Sequence, residues 1–222
     1  MNNKYWLWGR FEKWKRIILF HEKASAEYLI EKRIRNEKQK AIASKVIRDG
    51  NFELLSYHTD DQIWFGQRVS IGKDCWIWCH DDEDSGPVNG KGKGFLSVGN
   101  DTYIGKRFHA DCYAPVTIGN ECLIADEVMI LTSNHGMNAE LEGSYVKQPF
   151  ETGEVSIEEG CWIGSRVTIL PGVKIGKKSV IGTNAVVTKN IPAYSIAVGI
   201  PARIVKKWNF ELHRWENIEV GQ

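Results

Sequence analysis

Cys161-Trp162-Ile163-Gly164-Ser165-Arg166-Val167-Thr168-Ile169-Leu170-Pro171-Gly172-Val173-Lys174-Ile175-Gly176-Lys177-Lys178-Ser179-Val180-Ile181-Gly182 places a large aliphatic side chain at every sixth position. The register reaches back to Ile157 and on to Val187, and Gly164, Gly176 and Gly182 each follow one of the isoleucines. A helix repeats every ~3.6 residues and a flat strand every ~2, so neither produces a period of six; a short strand followed by a sharp corner does. Three such units close one triangular coil, and stacked coils form a parallel β-helix. Two positions before each aliphatic sits a small or branched residue, Cys161, Val167, Val173, Ser179 or Ala185, with Cys75, Thr102, Cys122 and Val128 continuing the set upstream. Both positions are expected to point inward. The Gly, Asn or Lys after the aliphatic is expected at a corner that tolerates positive φ.

Working outward, the pattern runs from about Ile63 through Ile71, Ile77, Val98, Ile104, Ala110, Ile118, Ile124 and Ile130. It slips three times: 21 residues separate Ile77 from Val98, 8 separate Ala110 from Ile118, and 27 separate Ile130 from Ile157. These slips are insertions at corners, the longer two spanning 80–94 and 132–153. Loops leaving a rigid scaffold carry binding and catalytic groups disproportionately. The first long insertion is acidic, then basic and Gly-rich, lacks calcium-loop spacing, and reads as a solvated hairpin. The second contains Leu131-Thr132-Ser133-Asn134-His135-Gly136-Met137, which is where chemistry is expected.

The predicted organisation is a basic amphipathic helical region over 1–62, the β-helix over 63–205 and a tail over 206–222. In the first region Trp8, Phe11, Trp14 and Ile18 share a helical face, and a second helical run covers Ala24 to Ile47. Residues 1–48 hold 13 Lys or Arg against 5 Glu, a net +8 in a chain whose total is +1, so the remainder carries −7. A Trp- and Lys-bearing arm suits either an anionic membrane surface or packing on the β-helix or a neighbouring subunit. The near-neutral total gives no reason to expect nucleic acid. No apolar run approaches the ~18 residues of a membrane span and no signal-peptide pattern opens the chain, so a cytoplasmic location is the expectation.

With 222 residues and 42% hydrophobic composition, the chain can bury a sizeable core. Three of its five cysteines, Cys75, Cys122 and Cys161, fall on small inward positions and read as reduced core residues. Cys75 and Cys79 lack the second pair that a zinc site needs.

Residues 63–205, above all 161–189 followed by Ile191-Pro192 and Val198-Gly199-Ile200-Pro201-Ala202-Arg203, resemble the hexapeptide-repeat acyltransferases. The resemblance implies a left-handed parallel β-helix and transfer of an acetyl group from acetyl-CoA, with no metal and no covalent enzyme intermediate. In the galactoside and maltose acetyltransferase branch a loop histidine is the general base, and His135 occupies that place. The role is chemically apt, because imidazole titrates near neutral pH and a hydroxyl becomes a good nucleophile only as its proton leaves. The other histidines, His21, His58, His80, His109 and His213, hold no comparable position.

Carried over position by position, the resemblance assigns coenzyme contacts to Ser165, Thr183, Thr188, Lys189 and Arg203. Thr183 stands where relatives often have Ala. Asp111 falls near an acceptor-orienting Asn or Asp, and a carboxylate orienting His135 would come from Glu151, Glu154 or a neighbouring chain. Members of the family are homotrimers with sites between adjacent β-helices, so the same is expected here, with Trp76, Trp78 and Trp162 either at the interface or packed beneath loops.

The expected acceptor is a sugar hydroxyl of a bacterial surface polysaccharide, with peripheral contact at the inner membrane. Antibiotic O-acetylation and sugar-nucleotide N-acetylation are alternatives within the class. A zinc hydratase needs three histidines, two of them five residues apart, a pair that is missing here; a non-enzymatic assembly subunit would not need His135.

Overall fold

The computed structural model describes residues 62–80 and 94–218, together with the backbone of the strands Val46–Arg48 and Phe52–Ser56. The helical readings over 1–45 and most of the first insertion lie outside the described residues.

Three parallel sheets form the walls of a triangular β-helix. The chain visits them in strict rotation, so each strand pairs with the one a full coil away. The first face runs through Val46–Arg48, Val69–Ile71, Tyr103–Ile104, Leu123–Ile124, Trp162–Ile163, Val180–Ile181 and Ser195–Val198. The second holds Phe52–Ser56, Cys75–Cys79, His109–Cys112, Met129–Leu131, Thr168–Ile169 and Val186–Val187. The third holds Ile63–Phe65, Leu96–Val98, Val116–Ile118, Val155–Ile157 and Lys174–Ile175. Ile104, Ile124, Ile163 and Ile181 stack in register on the first face and are essentially inaccessible to solvent. Burial of each such side chain contributes about 1.5–3 kcal/mol, which makes the inward column the main stabilising term.

Pairing begins upstream of Ile63. Val46–Arg48 lies parallel to Val69–Ile71, and Phe52–Ser56 to Cys75–Cys79, so Val46 and Ile47 are strand where the helical run was expected to extend. Their β-branched side chains favour that state. Residues beyond 205 also join the first face: Arg203–Asn209 and Arg214–Asn217 add two antiparallel strands, with Trp208 packed edge-on against Trp215 at 5.4 Å. Among the described residues no helix is long and apolar enough to cross a membrane.

The corner glycines have a different cause from the one expected. Gly105 and Gly164 do not have positive φ; a Cβ on Gly105 would stand 2.6 Å from backbone atoms of Ala125 and Asp126, and one on Gly164 2.7 Å from the Thr183 nitrogen. Glycine there lets successive coils approach. Positive φ falls instead immediately before the small inward residue, on Asp101, Glu121, Glu127, Arg166, Lys178 and Asn184 among others, and on Arg107 before the larger Phe108. Gly160 and Gly172 occupy the same kind of position.

All five cysteines are buried free thiols. Burial is the chief cause that pushes Cys75 up to about 11 and Cys161 up to about 12, against an ordinary 9.0. The unfolded chain therefore loses these protons first as pH rises, so their contribution to stability is full below about pH 9 and falls through the interval up to 11–12. Urea melts across that interval should show a shallower alkaline loss of stability for Cys161→Ala than for the unaltered protein. Equal slopes would reject the assignment.

Candidate active site

The three register slips leave the prism at one corner, between the second and third faces. Residues 80–95, 113–115 and 132–154 follow second-face strands of three successive coils, so their bases stack along one edge. Coils repeat at about 4.8 Å, which brings residues far apart in sequence into contact.

Rings make that contact continuous. His109 meets Trp76 at 4.3 Å between ring centroids, Trp76 lies 5.7 Å from Trp78, and Trp78 stacks on His80 at 4.6 Å. His80 stacks on Tyr113 at 3.6 Å, Tyr113 on Phe150 at 4.7 Å, and Phe150 lies 4.5 Å from the ring of His135. Trp76 and Trp78 are thus half-buried within this column, whereas Trp162 is 52% exposed on the first face. Burial, opposed by the Asp111 carboxylate, lowers the pKa of His109 and keeps its imidazole neutral at neutral pH.

His135 ends a short strand, Ser133–His135, paired antiparallel with Phe150–Thr152. Phe150 lies opposite His135 and Glu151 opposite Asn134. Alternation along a strand therefore turns Glu151 to the other side of the ribbon from the imidazole, which removes it as the orienting carboxylate. Among the described residues no carboxylate lies within ion-pair distance of His135. The ring is exposed and braced by Phe150.

Two side chains that the sequence did not single out build the hairpin. Thr132 is fully buried; its hydroxyl donates to the Asp111 carbonyl at 2.9 Å and accepts from the N–H groups of Tyr113 and Ala114 at 2.8 and 3.0 Å. One hydroxyl thereby joins the short insertion to the base of the long one. Gln148, 8% exposed, accepts from the Asn138 N–H and donates to the Asn138 carbonyl, both at 2.9 Å, closing the loop beyond His135. Asp111 is outward on the second face, and its Oδ1 lies 3.0 Å from Nε2 of buried His80.

The remaining expected site residues flank the same face one and two coils further on. Ser165 and Thr183 occupy successive coils at the corner leading into it, where the Ser165 carbonyl accepts from the Asn184 N–H at 3.0 Å and Arg166 donates to the Asn184 side chain at 2.7 Å. Thr188 and Lys189 are exposed at the corner leading out, directly after Val186–Val187. Exposed Arg203 follows Ala202, whose N–H donates to the Val186 carbonyl at 2.8 Å, so it lies past the end of that face. The strand spacing puts Ser165 about 5 Å, and Thr183, Thr188 and Lys189 about 10 Å, along the prism from the coil that bears His135.

A triangular β-helix with its insertions gathered on one edge, and an exposed histidine on the longest of them, has the architecture of a hexapeptide-repeat transferase. Residues 154–189 match the family described as bacterial transferase hexapeptide (six repeats). WbbJ of Escherichia coli (strain K12), named as a lipopolysaccharide biosynthesis O-acetyl transferase, is 35% identical over 131 residues, covering 56% of this chain and 67% of that protein. The galactoside O-acetyltransferase of the same organism is 38% identical over 148 residues, covering 64% of each. The chain therefore belongs to the hexapeptide-repeat acyltransferases. The fold is shared with AntD, an N-acyltransferase of Bacillus cereus solved with dTDP-4-amino-4,6-dideoxyglucose and coenzyme A, at a TM-score of 0.59 with 19% identity, covering 80% of this chain and 91% of that one.

Proposed function

We propose that this protein transfers the acetyl group of acetyl-CoA to a hydroxyl of a sugar destined for bacterial surface polysaccharide. The observation that carries the reading is the position of Asp111 and His135 on the two middle strands of the second face and their outgoing corner, with Ser165, Thr183, Thr188, Lys189 and Arg203 around its last two strands and beyond. In this reading His135 takes the proton of the acceptor hydroxyl while its oxygen attacks the thioester carbonyl. The C–O bond forms, the C–S bond breaks, and CoA leaves as the thiolate. Ser165 and Thr183 line the pantetheine, and Lys189 and Arg203 meet phosphate charge, where cationic donors act strongly. Asp111 orients the acceptor. The relatives named for lipopolysaccharide and galactoside acetylation support the choice of a sugar hydroxyl.

The same reading makes the working unit a homotrimer. Tyr103, Leu123 and Trp162 form an outward apolar column on the first face, 42%, 43% and 52% exposed, and the second carries Met129 and Val186. Along the third face, after Trp64, the outward residues are Ser97, Thr117, Ser156 and Lys174. An apolar first face, with Met129 and Val186 on the second and a mostly polar third, suits subunits that share faces around an axis, and a neighbour can supply the carboxylate that His135 lacks among the described residues. We place the reaction on the cytoplasmic side of the inner membrane, where the +8 arm over 1–48 would meet anionic lipid.

The test is a mass-spectrometric screen for acetyl-CoA-dependent acetylation across methyl glycosides, amino sugars and antibiotics. O-acetylation of a glycoside is expected; acetylation of an amine or a drug alone, or of nothing, rejects the reading. Lys189→Ala and Arg203→Ala should each weaken CoA binding by about five- to thirtyfold, the equivalent of ~1–2 kcal/mol for a charged contact. Calorimetry giving wild-type affinity for both would reject the coenzyme contacts.

A further inference from the structure

We propose that His80 is a positioning residue for the acceptor: from inside the corner it holds one oxygen of the Asp111 carboxylate so that the other faces a sugar hydroxyl. The inference rests on the reading of Asp111 given above and adds a residue to it.

His80 is 3% exposed, and the proton transfer assigned to His135 makes no use of it. Its Nε2 lies 3.0 Å from Asp111 Oδ1. A carboxylate only accepts, so that nitrogen carries the proton and donates. The imidazole is held in plane on both sides, stacked at 25° to Trp78 and at 15° to Tyr113, so the donor direction is set by packing. Its backbone is fixed as well: the His80 N–H donates to the Cys112 carbonyl, and the His80 carbonyl accepts from Gly94 N–H, both at 2.9 Å, and from the Gln62 amide at 3.3 Å.

Asp111 is constrained from its main chain too. Its carbonyl accepts from the Thr132 hydroxyl at 2.9 Å and the Thr132 N–H at 3.2 Å, three residues before His135. The Asp111 side chain is 28% exposed, and among the described residues only Oδ1 is engaged. Oδ2 is left to accept from a ligand. A surface aspartate would rotate among several rotamers; this one has a buried donor fixing its χ angles, the arrangement by which a supporting group keeps a contact residue in its productive geometry.

The experiment compares two substitutions that separate ring from donor. His80→Phe keeps an aromatic ring between Trp78 and Tyr113 and removes the N–H; His80→Gln returns an N–H near the same place without the ring. Initial rates are measured with acetyl-CoA and whichever methyl glycoside the unaltered protein acetylates fastest. His80→Phe is expected to raise the KM for the glycoside by about tenfold with the KM for acetyl-CoA unchanged, the size of losing one charge-assisted hydrogen bond. His80→Gln is expected to recover glycoside KM to within about threefold, even if its Tm is the lower of the two, because the donor and not the stack sets Asp111.

Asp111→Ala is the reference. If it raises the glycoside KM and His80→Phe does not, the role of His80 is overturned while that of Asp111 stands. If Asp111→Ala leaves that KM unchanged, or no glycoside is acetylated by the unaltered protein, the underlying reading falls and the inference with it. A His80→Phe protein whose two KM values rise together, with no recovery in His80→Gln, would show a purely structural residue and also overturn the proposal.

Discussion

His135→Ala is expected to lower kcat by about 10²–10⁴, the range for removing a positioned general base, while CoA affinity stays within about twofold. The two readouts separate because the imidazole and the residues proposed to contact the coenzyme occupy different coils. His135 sits on the hairpin Ser133–His135/Phe150–Thr152, and Ser165, Thr183, Thr188, Lys189 and Arg203 lie on the following coils and the end of the prism. The hairpin should survive the substitution. Its ladder is backbone to backbone, its base is tied by Thr132 and its far end by Gln148, and the exposed imidazole contributes a ring contact to Phe150 and little burial. A loss of activity accompanied by a large fall in Tm would therefore point to unfolding, and retention of activity within a few-fold would remove His135 from the mechanism. His135→Gln, which keeps a polar group but cannot take a proton, should be as inactive as the alanine variant.

The sequence made the prism legible because every inward position is paired with an identical environment one coil above and below, so the periodicity is written repeatedly. It made His135 legible as a candidate because a loop that breaks such a period stands out. What joins the loops was harder to read. Thr132, Gln148 and His80 act through partners 10 to 31 residues away, in a register set by the lengths of intervening insertions. The signal that was available is arithmetic: every slip follows a second-face strand, so all insertions had to leave by one corner, and a polar residue at the start of each had to meet its counterparts. The first coil is masked in the sequence for another reason. Val46–Arg48 and Phe52–Ser56 lack the glycine after the aliphatic, and Ala- and Lys-rich sequence before them carries helical propensity that parallel pairing overrides at Val46.

Gly94→Ala should be the most damaging single-methyl change in the described core. Gly94 is buried where the first insertion rejoins the prism, and its N–H donates to the His80 carbonyl at 2.9 Å, so it closes the loop that His80 opens. A Cβ there would overlap the Cys112 carbonyl oxygen, with the Cys112 carbonyl carbon at 2.6 Å and the His80 oxygen at 3.0 Å. None of these is the tip of a flexible side chain. The Cys112 carbonyl is held by the His80 N–H, Cys112 itself points into the core, and its strand is paired on both sides, with Cys75–Cys79 and Met129–Leu131. Relief therefore needs movement of a whole strand, which places the cost at or above the upper end of ordinary overpacking, about 3 kcal/mol, or ~6–12 °C in Tm for a chain of this size. Gly172→Ala is the control. Its φ of +80 makes any side chain strained, yet a Cβ there meets nothing within 4 Å, so backbone conformation alone should cost about 1 kcal/mol. Calorimetric Tm values that place Gly172→Ala at or below Gly94→Ala would mean the prism yields at this corner. A corner that yields could not hold His80 against Asp111, so the same pair of melts also tests the rigidity on which the proposed acceptor positioning depends.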